Sequence, residues 1–179
     1  MLKIAITGNI AAGKSEAEKL LSRDFSVYDA DKIAHKILGD IDRQKLGRIV
    51  FSDVEARKKL EEYVHPKVKD EISAIFSKHQ NDSPIKSEII FVSVPLLFEA
   101  GFEGLFDKIL FIACDEKIRL ERLMRRNNLT EDEALQRINA QAPQDEKILK
   151  SDYVIYNNSS LKELERQISD FVQKIKECV

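Results

Sequence analysis

Gly8, Gly13, Lys14 and Ser15 fill the pattern G-x-x-x-x-G-K-[ST], and the apolar run Lys3-Ile4-Ala5-Ile6-Thr7 stands directly in front of it. The chemistry served by this spacing is the holding of phosphate. Glycines at 8 and 13 permit a tight loop whose backbone N–H groups turn inward, at the positive end of a helix expected over Glu16-Ala17-Glu18-Lys19-Leu20-Leu21. Gly8, Ala11, Ala12, Gly13, Lys14, Ser15 and Glu16 form the expected nucleotide-binding set. Lys14 would reach the β- and γ-phosphates of a nucleotide as a point charge. Ser15 would offer its hydroxyl to a magnesium ion that otherwise keeps water ligands. The plain alternative is a strand-to-helix turn with an exposed lysine.

Other chemistry-bearing side chains follow at element ends. Asp29 and Asp31 close a short strand expected over 25–28, and the carboxyl edge of an open parallel sheet is where ligands bind. One of the two is expected to cap the helix at Lys32–Leu38 and the other to act on substrate. His65 precedes Pro66 at an expected helix junction, where a histidine serves either structure or chemistry. Glu99, beyond Pro95, either faces the cleft or ends a short helix in solvent. Arg119, Arg122 and Arg126 recur at helical spacing, and Arg137 and Gln141 follow on a second helix opened by the capping box Thr130–Glu133. Such arginines usually form a solvated face. Beside a phosphate loop they also suit a lid closing over transferring phosphate.

The elements that must position these groups read as alternating strands and helices. The first helix is expected to end near Ser22. A helix capped by Asp42 carries Arg43, Leu46, Ile49 and Val50, and the apolar spacing from Leu60 to Phe76 predicts two helices meeting at His65-Pro66. A loop from His79 to Ser87 leads to the buried strand Ile89–Val94, and Pro95 opens a short helix. Ile109–Ala113 is the next strand, with Asp115 capping a helix to about Asn127. Pro143 starts a helical segment ending near Lys150, Tyr153–Tyr156 is the fifth strand, and Ser160 with Glu163 boxes a last helix. Leu161, Leu164, Ile168, Phe171, Val172 and Ile175 would give that helix its core face.

The chain has 179 residues, 43% hydrophobic and 34% charged, with a formal net charge of -2, which suits one nucleotide-sized domain. That balance argues against bulk nucleic-acid binding and points to small-molecule partners. Cys114 and Cys178 lack zinc-like spacing, and His35, His65 and His79 are scattered. The first strand begins at Leu2, no apolar run approaches membrane-spanning length, and a reducing cytoplasm is expected.

Taken together and in order, these motifs resemble the dephospho-coenzyme A kinase family nearly end to end. The resemblance is carried by Gly8 to Ser15, Asp29 to Asp31, Leu46 to Phe51, His65-Pro66, Val94 to Glu99, and Arg122, Arg126, Arg137 and Gln141. It implies an α/β fold of the P-loop NTPase type: three α/β/α layers, a five-stranded parallel sheet, a helical substrate-binding insertion and a small helical lid. The core would comprise 1–31, 87–121 and 150–179, the substrate region about 32–86, and the lid about 122–149. The implied reaction moves the γ-phosphoryl of ATP to the ribose 3′-hydroxyl of dephospho-coenzyme A, with no nucleic-acid, membrane or obligate protein partner. By resemblance, Asp31 accepts or orients the hydroxyl proton and touches magnesium, and Arg137 contacts ATP phosphates from the lid. The resemblance further implies that Lys14 is catalytic, that Asn157 joins the nucleotide set, and that Asp29, His65 and Glu99 face the substrate. The chain departs from the family pattern at Asn9 and Ala11, where glycine is usual, and at Ser93, where aspartate is common. Its segment between Leu38 and Asp42 is also short.

Two rivals remain in view. Another small-molecule P-loop kinase, such as one acting on a nucleoside monophosphate, would share the loop and lid but leave the ordered motifs unexplained. A GTP-dependent switch would usually carry Asp-x-x-Gly and Asn-Lys-x-Asp, and neither occurs in this chain.

Overall fold

Strands buried on both faces of a parallel sheet must be apolar throughout rather than alternating, and the β-branched runs of this chain fold accordingly. The computed structural model describes residues 1–39, 54–82 and 89–177. Among them, β1 (Leu2–Thr7), β2 (Ser26–Asp29), β3 (Ile89–Ser93), β4 (Lys108–Ala113) and β5 (Tyr153–Tyr156) form one sheet in the order β2-β3-β1-β4-β5. β1 pairs in parallel with β3 and with β4, and β4 pairs in parallel with β5. The order reverses beside β1. Its carboxyl end therefore opens at the crevice where such sheets take ligands.

The chain divides into two compact units, Met1–Tyr28 with Ser87–Val179, and Asp29–Lys86. In the first, α1 (Lys14–Leu21) and α7 (Leu161–Lys176) pack together. Ala17, Leu20 and Leu21 meet Leu164, Ile168, Phe171 and Ile175 over Ile4, Ile6, Leu110 and Ile112 of the sheet. Each large side chain buried there contributes roughly 1.5–3 kcal/mol. A second cluster joins α4 (Glu116–Asn127) to α5 (Glu131–Asn139) through Leu123, Ala134 and Ile138, with Ile10 and Ala11 packed against it. The short α6 (Gln144–Ile148) lies against β4. In the second unit, α2 (Ala30–Leu38) packs on α3 (Val54–Asp82), whose Val64, Val68, Ile72 and Phe76 are buried at four-residue spacing. No described helix is long and apolar enough to cross a membrane.

Several local expectations are corrected. The two helices expected to meet at His65-Pro66 are one, since α3 runs through Pro66. Proline removes a single backbone donor, and a helix with a buried stripe several turns long absorbs that loss. No helix opens at Pro95; the chain there makes turns, with one helix-like bond from Ala100 N–H to the Leu96 carbonyl at 2.9 Å. Asp115 occupies the N-cap of α4 without a side-chain cap bond, because its carboxylate accepts from Asn158 Nδ2 at 2.8 Å. Ser160 accepts from Glu163 N–H, but the Glu163 carboxylate turns to Arg166, so only half of that box forms. Leu161 is 58% exposed at the start of α7, one turn ahead of the core stripe. Gln141 lies beyond the end of α5 rather than on it. The helix expected after Asp42, the Leu46–Phe51 motif, Pro84 and Cys178 lie outside the described residues.

Candidate functional site

The loop after β1 is set by two glycines with different reasons. A Cβ on Gly8 would stand 2.6 Å from the backbone oxygen of Ile112, so the approach of β4 excludes any side chain. Gly13 has φ of 92° as the N-cap of α1, and a Cβ there would stand 2.0 Å from Asn157 Nδ2. That amide is buried and donates to the Ala12 carbonyl at 2.9 Å, while Asn157 N–H donates to the Ala113 carbonyl. Asn157 therefore ties the loop to the carboxyl ends of β4 and β5. Ala11 holds φ of 61°, a left-handed position uncommon for a residue with a Cβ.

Residues after α5 brace the loop from the other side. Ile10 N–H donates to Gln141 Oε1 at 2.6 Å, and Asn9 Nδ2 donates to the Ala142 carbonyl at 3.2 Å. Asn9 thus supplies a side-chain contact that a glycine there would lack. Arg122 Nη1 donates to Cys114 Sγ at 3.4 Å, and the same nitrogen lies 3.8 Å from the Cβ position of Gly13. The arginine row of α4 is not uniformly solvated: Arg119 is buried with Nε on the Cys114 carbonyl, whereas Arg126 is exposed. Burial pushes the Cys114 thiol up from its usual range, against the opposing pull of Arg122 and Arg119.

Lys14 sits at the first position of α1, with its ammonium donating to Glu18 Oε1 at 2.6 Å and to Ser93 Oγ at the end of β3. Ser15 is exposed beside it. Glu16 pairs with Lys19 at 2.7 Å on the helix surface. Glu99 forms an ion pair with the buried ammonium of Lys147 at 2.5 Å, tying the segment after β3 to α6. Arg137 stands on the exposed face of α5.

The expected carboxylates at the end of β2 divide as the residue types allow. Asp29 caps α2, its Oδ1 accepting from Asp31 N–H at 2.9 Å and Lys32 N–H at 3.3 Å. Asp31 is exposed in the first turn of α2, where the positive helix end favours a carboxylate. His65 is half-buried on α3. The loop, Asn157 and Glu99 thus belong to the first compact unit, and Asp29, Asp31 and His65 to the second. Sequence reasoning passed over Glu18 and Lys147. Glu18 had a readable signal in its four-residue spacing from Lys14, whereas Lys147 meets Glu99 only through the fold.

A glycine-limited loop between the central parallel strand and a helix, with a lysine at the helix start, defines a P-loop nucleotide-binding α/β protein. The family model for dephospho-CoA kinase matches residues 37–163. The dephospho-CoA kinase of Listeria innocua is 36% identical over 96% of each chain. Among solved structures, one from Thermus thermophilus superposes with a TM-score of 0.79 at 34% identity, covering 97% of each chain. The dephospho-CoA kinase from Campylobacter jejuni gives 0.72 at 32% identity, covering 98% of this chain and 97% of that one. The chain belongs to the dephospho-CoA kinase family.

Proposed function

We propose that this chain moves the γ-phosphoryl group of ATP onto the ribose 3′-hydroxyl of dephospho-coenzyme A, giving coenzyme A and ADP as the last step of coenzyme A synthesis. The observation that carries the reading is end-to-end likeness to dephospho-CoA kinases combined with a complete, braced phosphate loop. Phosphoryl transfer asks for positioning and charge neutralisation more than covalent help. The loop amides and Lys14 supply both to the β- and γ-phosphates, and Arg137 supplies charge from the segment 122–149, which acts as the lid. Asp31 accepts or orients the proton of the attacking hydroxyl. Within the helical region 32–86, His65 helps to seat the acceptor. Glu99 and Asp29 act through the contacts they already make, with Lys147 and with the start of α2.

Magnesium fits the donors at the loop. Ser15 offers an exposed hydroxyl, and no cluster of three or more His, Cys, Asp or Glu able to hold a metal occurs among the described residues. That chemistry suits an ion held by one or two protein oxygens with phosphate and water. Ser15 and Asp31 are the proposed holders, and the ion would neutralise charge on the phosphates. ATP and dephospho-coenzyme A are the proposed partners, and a reducing cytoplasm is the proposed setting for the buried free thiol of Cys114.

The test is coupled ADP production by the purified protein with ATP and magnesium, comparing dephospho-coenzyme A, AMP, CMP and no acceptor. Turnover dependent on dephospho-coenzyme A is expected. Preference for a monophosphate would move the protein to another P-loop kinase activity. ADP formed without any acceptor dependence would remove the kinase reading.

A further inference from the structure

We propose that Glu18 is a positioning residue for Lys14, acting with Ser93 to hold the ammonium in one place as the β- and γ-phosphates arrive. The proposal rests on the reading of the loop as a polyphosphate cradle. Glu18 Oε1 accepts from Lys14 Nζ at 2.6 Å and from Ser93 Oγ at 2.6 Å, and Lys14 Nζ also donates to Ser93 Oγ. The three groups close a triangle between α1 and the carboxyl end of β3. A serine hydroxyl has one proton and two lone pairs, so it gives to Glu18 while it receives from Lys14. An ammonium has three N–H groups. The triangle uses two and leaves the third for phosphate, so holding the lysine and binding the nucleotide are compatible.

The pair is poorly explained as helix stabilisation. An acid placed four residues before a lysine supports a helix better than the order found here, and the positive end of a helix repels a cation at its first position. Lys14 occupies that position. The surface pair Lys19–Glu16 has side chains 71% and 47% exposed, whereas Lys14 and Glu18 are 16% and 19% exposed and Ser93 is fully buried. Partial burial strengthens the charge-assisted bonds and limits screening. The lysine stem carries substantial rotamer entropy, and fixing it before the nucleotide arrives removes that cost from binding.

The consequence is specific to the outer phosphates. Nucleotide binding is measured by calorimetry without any acceptor, using ATP and AMP, on the unsubstituted protein, Glu18→Gln, and Glu18→Gln combined with Ser93→Asp. Glu18→Gln is expected to weaken ATP about tenfold, the rotamer cost that an unheld lysine stem then meets on binding, and to leave AMP within about twofold. Ser93→Asp returns a carboxylate to another corner of the triangle and should recover most of the ATP affinity. Unchanged ATP affinity in Glu18→Gln overturns the proposal, as does a parallel loss for ATP and AMP or a failure of Ser93→Asp to recover binding. An unsubstituted protein that binds no ATP overturns the cradle reading as well. The identity of the acceptor does not enter the measurement.

Discussion

Asn157 shows how one side chain far along the sequence fixes the geometry of the phosphate loop. Its amide occupies the space that a Cβ on Gly13 would take and satisfies the buried Ala12 carbonyl. Removing it leaves that carbonyl without its donor, a loss of about 1–3 kcal/mol when a buried group goes unpaired. Asn157→Ala should therefore lower the unfolding free energy by about that amount in urea denaturation and weaken ATP binding. A stability unchanged within about 0.5 kcal/mol would mean that the contact does not hold the loop. Ala11 makes the same point in reverse. Its left-handed backbone carries a Cβ cost, and the contact of its side chain with the cluster of Leu123, Ala134 and Ile138 offsets part of it.

At the scale of elements, the strands and most helices were legible because their signals are local. Runs such as Ile89–Val92 admit few readings besides a buried strand, and Thr130 with Glu133 forms the reciprocal box its spacing announces. Pro66 misled for the same reason that the strands did not: a local rule forbids it within a helix, and the decision belongs to the packing of α3 on α2. The bonds from Asn9 and Ile10 to residues 142 and 141, and from Lys147 to Glu99, join distant segments, and no periodicity reports them. The box itself carries a pH prediction. The Thr130 amide and hydroxyl hold the Glu133 carboxyl below its usual range. A depressed carboxyl stabilises the folded form above the unfolded-state value, near 4.3 for a glutamate, and that stability is lost as pH falls through the lower folded value. The protection factor of the Thr130 amide, which donates to that carboxylate, should therefore fall as acid protonates Glu133. Glu133→Gln keeps an acceptor without the titrating charge and should flatten the dependence; an unaltered acid profile in that variant would assign the effect to another group.

For the whole molecule, the proposed site residues fall in two compact units. The loop, its braces from Asn157 and Gln141, and the seat of Lys14 all lie in the first unit, whereas Asp31 lies in the second with α2. On the proposed assignment, affinity for ATP is decided by the first unit and turnover requires both. The structure makes this separable, because Asp29 and not Asp31 caps α2. Asp31 can lose its charge without removing the cap on its own helix. Asp31→Asn should lower kcat by about 10² to 10⁴, the range for a single general base, with the Kd for ATP within about twofold of the unsubstituted protein. Lys14→Ala should abolish turnover and weaken ATP as well, since it removes a contact made in the ground state. Single-turnover kinetics with separately measured ATP binding distinguishes the two patterns. Near-normal kcat in Asp31→Asn would take that carboxylate out of the reaction and leave positioning and charge in the first unit to account for the chemistry.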